Sequence, residues 1–167
     1  MTYFAAALAR TDQGWTGVEL DLSEVDDLEV LTDLLRDLTG DGEGPALMML
    51  EEDDEYVGLV RVDGGASSLG EPRVFLSDRR AVQQSEVAAM LWEATEVLED
   101  DDDDDDDEGT RPIAEPVGDT SLLADLGTPP DLLLETCAEE GLLPGDVLAV
   151  LCERAGCLDA FELLREG

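Results

Sequence analysis

The chain has 167 residues, 44 acids against nine basic residues that are all arginine, no histidine, and a formal net charge of -35. A surface this acidic repels nucleic-acid phosphates, and the missing imidazole removes the commonest general base and the commonest metal ligand. Hydrophobic residues still make up 43% of the chain, but aromatics only 4%, so the expected core is aliphatic.

From the N-terminus, residues 2–9 and 15–20 read as two strands. Thr11-Asp12-Gln13-Gly14 between them carries turn chemistry. On the second strand Thr16, Val18 and Leu20 form an apolar face, and Trp15, Gly17 and Glu19 a mixed one. The period then changes. Ser23 followed by Asp26 resembles a capping box, and Val25, Leu28, Leu31, Leu35 and Leu38, with Leu34 beside them, keep helical spacing up to Gly40.

Ala46 to Leu50 is a continuous apolar run, the pattern of a strand covered on both faces. The acids 51–55 read as a hairpin tip before a strand from Tyr56 to Val62. A turn around Asp63-Gly64-Gly65 leads to a strand at Arg73–Leu76, and Ser77 or Asp78 is expected to cap a helix through about Leu98. The order β-β-α-β-β-β-α predicts an α+β fold, a mostly antiparallel sheet with helices on one face.

Ten consecutive acids follow, Glu99, Asp100 to Asp107 and Glu108, and then Gly109, Pro112 and Pro116. Like charges in such a block repel, so residues 99–117 are expected to be a disordered linker. Beyond it, Leu122, Leu123 and Leu126 form an apolar turn. Pro130 and Pro144 suit first helical positions, and Gly141 and Gly156 suit helix ends. Leu158, Phe161 and Leu164 mark a last short helix. The expected organisation is an α+β sheet domain at 1–98, the acidic linker at 99–117, and a helical segment at 118–167. So small a helical segment is marginal alone and is expected to dock on the sheet domain.

Chemical motifs are scarce. Asp104, Asp106, Glu108, Gly109 and Glu115 fall at positions 1, 3, 5, 6 and 12 of a calcium loop. Position 5 is Glu, position 8 is Arg111 where an apolar residue belongs, and Pro112 and Pro116 obstruct the exit helix, so chance register within a run of acids explains the match. Cys137, Cys152 and Cys157 contain no C-x-x-C pair, and Cys137 and Cys152 lie on apolar helical faces, the pattern of small buried hydrophobes. Asp41-Gly42-Glu43-Gly44 has acids where a phosphate loop needs none, and Arg79-Arg80, the one basic doublet, balances neighbouring acids. There is no G-x-S-x-G, and histidine is absent from any triad. No catalytic, cofactor-binding or metal-binding residue is therefore assigned. No apolar stretch nears the roughly 20 residues of a membrane span, and three cysteines do not make a secreted disulfide framework, so a cytoplasmic location is expected.

Tyr3-Phe4-Ala5-Ala6-Ala7-Leu8-Ala9-Arg10, Gly14-Trp15, the segment Leu31-Thr32-Asp33-Leu34-Leu35-Arg36, and Arg73-Val74-Phe75-Leu76-Ser77-Asp78 resemble a small bacterial family, the tRNA adenosine deaminase-associated proteins. The resemblance implies association, largely as genomic neighbours, with the deaminase that makes inosine in the tRNA anticodon. It implies no catalytic residues. The deaminase itself needs an H-x-E…P-C-x-x-C signature, and this chain has neither part. The expected role is a non-catalytic accessory protein that binds or modulates a tRNA adenosine deaminase, without direct nucleic-acid or membrane binding. The alternative is a general acidic mimic of nucleic acid that occupies basic surfaces. An enzyme working with carboxylates alone would need a pocket holding two acids of raised pKa.

Overall fold

A computed structural model describes residues 3–11, 14–25, 27–39, 45–52, 56–63, 73–78, 81, 85–91, 116–139 and 141–166. Strands β1 (Tyr3–Thr11), β2 (Gly14–Glu19), β3 (Pro45–Glu52), β4 (Tyr56–Asp63), β5 (Arg73–Leu76) and β6 (Val117–Gly118) form one sheet in the order β2-β1-β3-β4-β5-β6. Every pairing is antiparallel, and β1 and β3 are paired along most of their length, Tyr3 opposite Glu52 through Ala9 opposite Ala46. The fold is α+β, as its strand and helix order predicts.

The side-chain period of two divides each strand between two cores. Ala5, Ala7, Ala9, Met48, Leu50, Val60, Val62, Val74 and Leu76 point to one face. There they meet Leu28, Leu31, Leu35 and Leu38 of helix α1 (Leu28–Thr39), and Ala88 and Leu91 of α2, helical over residues 86–91. Ala6, Leu8, Leu47, Met49, Val57, Leu59 and Phe75 point the other way. They meet Leu133 of α3 (Pro130–Ala138), Val147, Leu148, Leu151 and Cys152 of α4 (Pro144–Ala155), and Phe161 of α5 (Leu158–Glu166). Helices on one face therefore describe only the first half of the chain, because α3, α4 and α5 cover the second face. A strand buried on both sides reads as an unbroken apolar run, which is why Ala46 to Leu50 lacks alternation.

Local details differ from expectation in three places. Helix α1 starts at Leu28, with Asp27 Oδ1 accepting from Val30 N at 3.1 Å. Ser23 lies in a preceding 3-10 turn, Leu22–Glu24, capped by Asp21. Helix α2 is capped by Ser85, whose Oγ accepts from Ala88 N at 3.1 Å. Ser77 is buried instead, its Oγ accepting from Val57 N at 2.9 Å. Val117, assigned by composition to the linker, pairs with Leu76. The next residue, Gly118, has φ 103°, and a Cβ there would collide with the Val74 carbonyl oxygen, so only glycine lets the chain join the sheet so closely.

Candidate interaction surface

Several of the described arginines hold partners within the molecule. Arg61, on the second face of β4, is buried, and its guanidinium grips Asp125 through Nη1–Oδ1 at 2.6 Å and Nη2–Oδ2 at 3.0 Å. Its Nη1 also donates to the Leu122 carbonyl at 2.8 Å. Arg73 donates from Nε to Asp119 Oδ2 at 2.6 Å and from Nη2 to the Ser121 carbonyl at 3.0 Å. Arg165 lies 3.8 Å from Glu51 and over the Phe161 ring. Arg154 donates to Thr136 Oγ1 at 3.1 Å, and Arg10 lies over Trp15. Arg61, Arg73 and Arg165 thus tie the sheet to the chain that follows residue 116. The Arg61–Asp125 pair is bidentate and charge-assisted, the strong kind of hydrogen bond.

Their partners are correspondingly held as carboxylates. Hydrogen bonds from Arg61 outweigh the opposing effect of burial and keep Asp125 below the usual aspartate range. Burial pushes Asp119 up, but the combined hydrogen bonds from Arg73 and Ser121 leave it lowered. Asp21 is lowered by the hydroxyl and backbone N–H of Ser23.

Arg61 is buried and Arg73 half-buried, and the exposed arginines Arg10, Arg36, Arg154 and Arg165 are outnumbered by exposed carboxylates. Glu19, Asp21, Asp27, Glu29, Asp33 and Asp37 are exposed along β2 and α1, and Asp131, Glu135, Glu139, Asp146, Glu153, Asp159 and Glu162 across the helices of the other face. Val18, Val30, Leu34, Leu143 and Leu163 are large apolar side chains left exposed among them.

One carboxylate is different. Glu52 is buried at the end of β3, and its Oε1 accepts from Tyr56 Oη at 2.8 Å and Ser85 Oγ at 2.5 Å. Two hydroxyl donors on one oxygen satisfy a carboxylate as a structural element, tying the β3–β4 end to the cap of α2. Among the described residues no group of three or more His, Cys, Asp or Glu is placed to hold a metal ion. Cys152 and Cys157 are buried in the second core and Cys137 is half-buried against it. Burial pushes the Cys137 thiol up to about 12. Cys152 is raised by its hydrogen bond to Cys157 and by burial, and the same hydrogen bond lowers Cys157.

The poly-acidic run, the calcium-loop register Asp104 to Glu115, the doublet Arg79-Arg80 and the segment Asp41–Gly44 all lie outside the described residues. Sequence reasoning missed the Glu52 cluster and the Arg61–Asp125 pair. A lone arginine inside an apolar strand, at position 61, was the available signal that a distant acid must meet it.

Residues 3–158 match a protein-family model described as Rv3753c-like tRNA adenosine deaminase-associated protein. No curated protein and no solved structure matches the chain.

Proposed function

The chain belongs to the tRNA adenosine deaminase-associated family, and on that footing we propose that it is a non-catalytic accessory protein that binds a tRNA adenosine deaminase and modulates it. The observation that carries this reading is the excess of exposed carboxylates over exposed arginines. Arg61, Arg73 and Arg165 brace the fold and spend part of the small positive charge on internal partners. Such a surface complements a protein that must itself be basic to hold tRNA. Charge then speeds the encounter, and contacts from the folded sheet and helices set the lifetime of the complex. The absence of histidine and of a P-C-x-x-C pair keeps the deamination chemistry with the partner. A cytoplasmic location goes with that partner. No helix among the described residues is long and apolar enough to cross a membrane.

Capture of the cognate deaminase by the immobilised full chain is the test. Recovery of the deaminase at physiological salt, in preference to other basic proteins, is the expected result. No recovery at either low or physiological salt would overturn the proposal, and equal recovery of many basic proteins would replace it with the general nucleic-acid mimic. Replacing Asp100–Asp107 by Ser/Gly of equal length should slow association by about tenfold or more at low salt. Near 0.5 M salt, where charges are screened beyond roughly 4 Å, the two versions should differ little.

A further inference from the structure

Strand β2 ends the sheet, and no strand among the described residues lies beyond it. Its pairing with β1 runs without a bulge from Ala6 opposite Glu19 to Thr11 opposite Gly14. The backbone hydrogen bond from Leu20 N to the Ala5 carbonyl sets the phase of that ladder. Because bonded and non-bonded pairs alternate, Val18, Thr16 and Gly14 are the residues bonded to β1. The N–H and C=O groups of Trp15, Gly17 and Glu19 therefore point outward from the sheet. Such an edge is normally blunted by lysine, proline, a bulge or a covering element. Here the chain has no lysine, and β2 has neither proline nor bulge.

Among the described residues only one side of this edge is covered. On the second face α5 lies so close that a Cβ on Gly17 would stand 3.1 Å from Leu164 Cδ1. On the first face Thr16 and Val18 are exposed, Val18 to 43%. The apolar face that alternation picks out on β2 is thus the open one, apart from Leu20, which packs against the first core. Helix α1 stands nearby, over β1 and β3. Its Thr32 flank is buried, and the opposite flank carries Val30 and Leu34, 40% and 41% exposed. Val18 on β2 and Val30 and Leu34 on α1 are thus exposed apolar side chains, with Asp27, Asp33 and Asp37 exposed at α1 and Glu19 exposed on the other face of β2.

We propose that this edge receives a β-strand from a partner protein, a segment of alternating apolar and basic side chains that extends the sheet beyond β2. Main-chain hydrogen bonds to Trp15, Gly17 and Glu19 supply the register, and the apolar residues of the added strand lie on the first face beside Val18. Its lysines or arginines fall on the second face, where Glu19 and, on α5, Asp159 and Glu162 are exposed. Charge chooses this occupant over the other obvious one, a second copy paired edge to edge, because two chains of -35 repel. This rests on the reading above only in taking a basic protein partner. The test below contains no deaminase, so failed deaminase capture would overturn that reading and leave this one standing.

The probe is a capped octapeptide alternating valine and lysine, titrated into the isotope-labelled full chain at roughly 0.3 M salt, where the Debye length is under 8 Å. A capped lysine–glycine octapeptide of equal charge is the control. Amide shifts centred on Gly14–Glu19 and on the Val30–Leu34 stretch are expected, for the first peptide alone. Val18→Lys and Glu19→Pro, at exposed positions whose side chain or N–H faces out, should each weaken binding by about tenfold, or 1.4 kcal/mol. Leu163→Lys, on α5, should bind as the parent does. Unchanged unfolding midpoints would show that the variants are folded. Equal binding of both peptides, shifts confined to other acidic segments, or parental affinity in both edge variants would overturn the proposal. So would a concentration-dependent dimer of the chain that Val18→Lys dissolves.

Discussion

Arg61 and Asp125 lie 64 residues apart in sequence, yet their guanidinium and carboxylate meet through two parallel hydrogen bonds of 2.6 and 3.0 Å. Arg61 is buried on the sheet, whereas the Asp125 side chain is 62% exposed. Water can reach the acid but not the base. A double-mutant cycle with Arg61→Met and Asp125→Asn, read by chemical denaturation, should give a coupling energy of about 1–3 kcal/mol. Additive effects of the two changes would mean that the pair contributes no more than an ordinary surface bridge.

The same pairs bear on acid stability. Asp119 and Asp125 have native pKa values lowered from 3.8. In the window between the lowered and the ordinary value the unfolded chain binds more protons, so stability falls as pH falls. Their contribution is full above about pH 5 and lost as pH drops through the native values. The Asp119→Asn, Asp125→Asn double variant should be less stable than the parent at pH 6, and the difference should shrink toward pH 2. A difference that is constant with pH would remove titration as the cause.

Gly118 is a sharp test of β6. Alanine there would adopt φ 103° and crowd the Val74 carbonyl and the Phe75 Cα. Gly118→Ala should cost at least about 1–3 kcal/mol. Hydrogen exchange at Asp119 N, which donates to the Val74 carbonyl at 2.8 Å, should accelerate. Parental stability and exchange would rule out the close approach.

Leu148 and Leu163 separate core from surface within the C-terminal helices. Leu148 is fully buried and Leu163 is 71% exposed. Leu148→Ala should cost about 2–5 kcal/mol, and Leu163→Ala less than roughly 0.5 kcal/mol. Because Leu148 shares its core with Leu8, Leu47 and Phe75, the loss should appear in the unfolding of the sheet as well as of the helices. Two transitions, only one of them shifted by Leu148→Ala, would show that the layers unfold separately.

Thiol chemistry gives a fifth check. Burial raises Cys137 to about 12, and Cys152 and Cys157 are shielded in the core. At pH 8 the native chain should react with an aromatic disulfide reagent about a hundredfold or more slowly than a free thiol. Denaturant should release three equivalents. One fast equivalent in the native chain would place a thiol in solvent.

Much of the fold was legible because its elements are long and periodic. Leu28, Leu31, Leu35 and Leu38 announce α1, and Pro130 and Pro144 open α3 and α4 at the residues where the structure opens them. What stayed hidden depends on tertiary partners. Ser23 and Asp27 are both good cap residues, and only packing decides which turn becomes helix. Strand β6 has two residues and no pattern of its own. Alternation on β2 shows that two faces differ, not which one a helix will cover. The exposure of Val18 follows from where α1 and α5 happen to reach.

Leu91 is fixed in the first core and Val117 in the sheet, so the acidic run lies in the sequence between two anchored points. Its two sides are joined by more than the peptide backbone. A chain cut within residues 99–108 should still migrate as a single particle, its halves held by the shared core around Phe75 and Leu148.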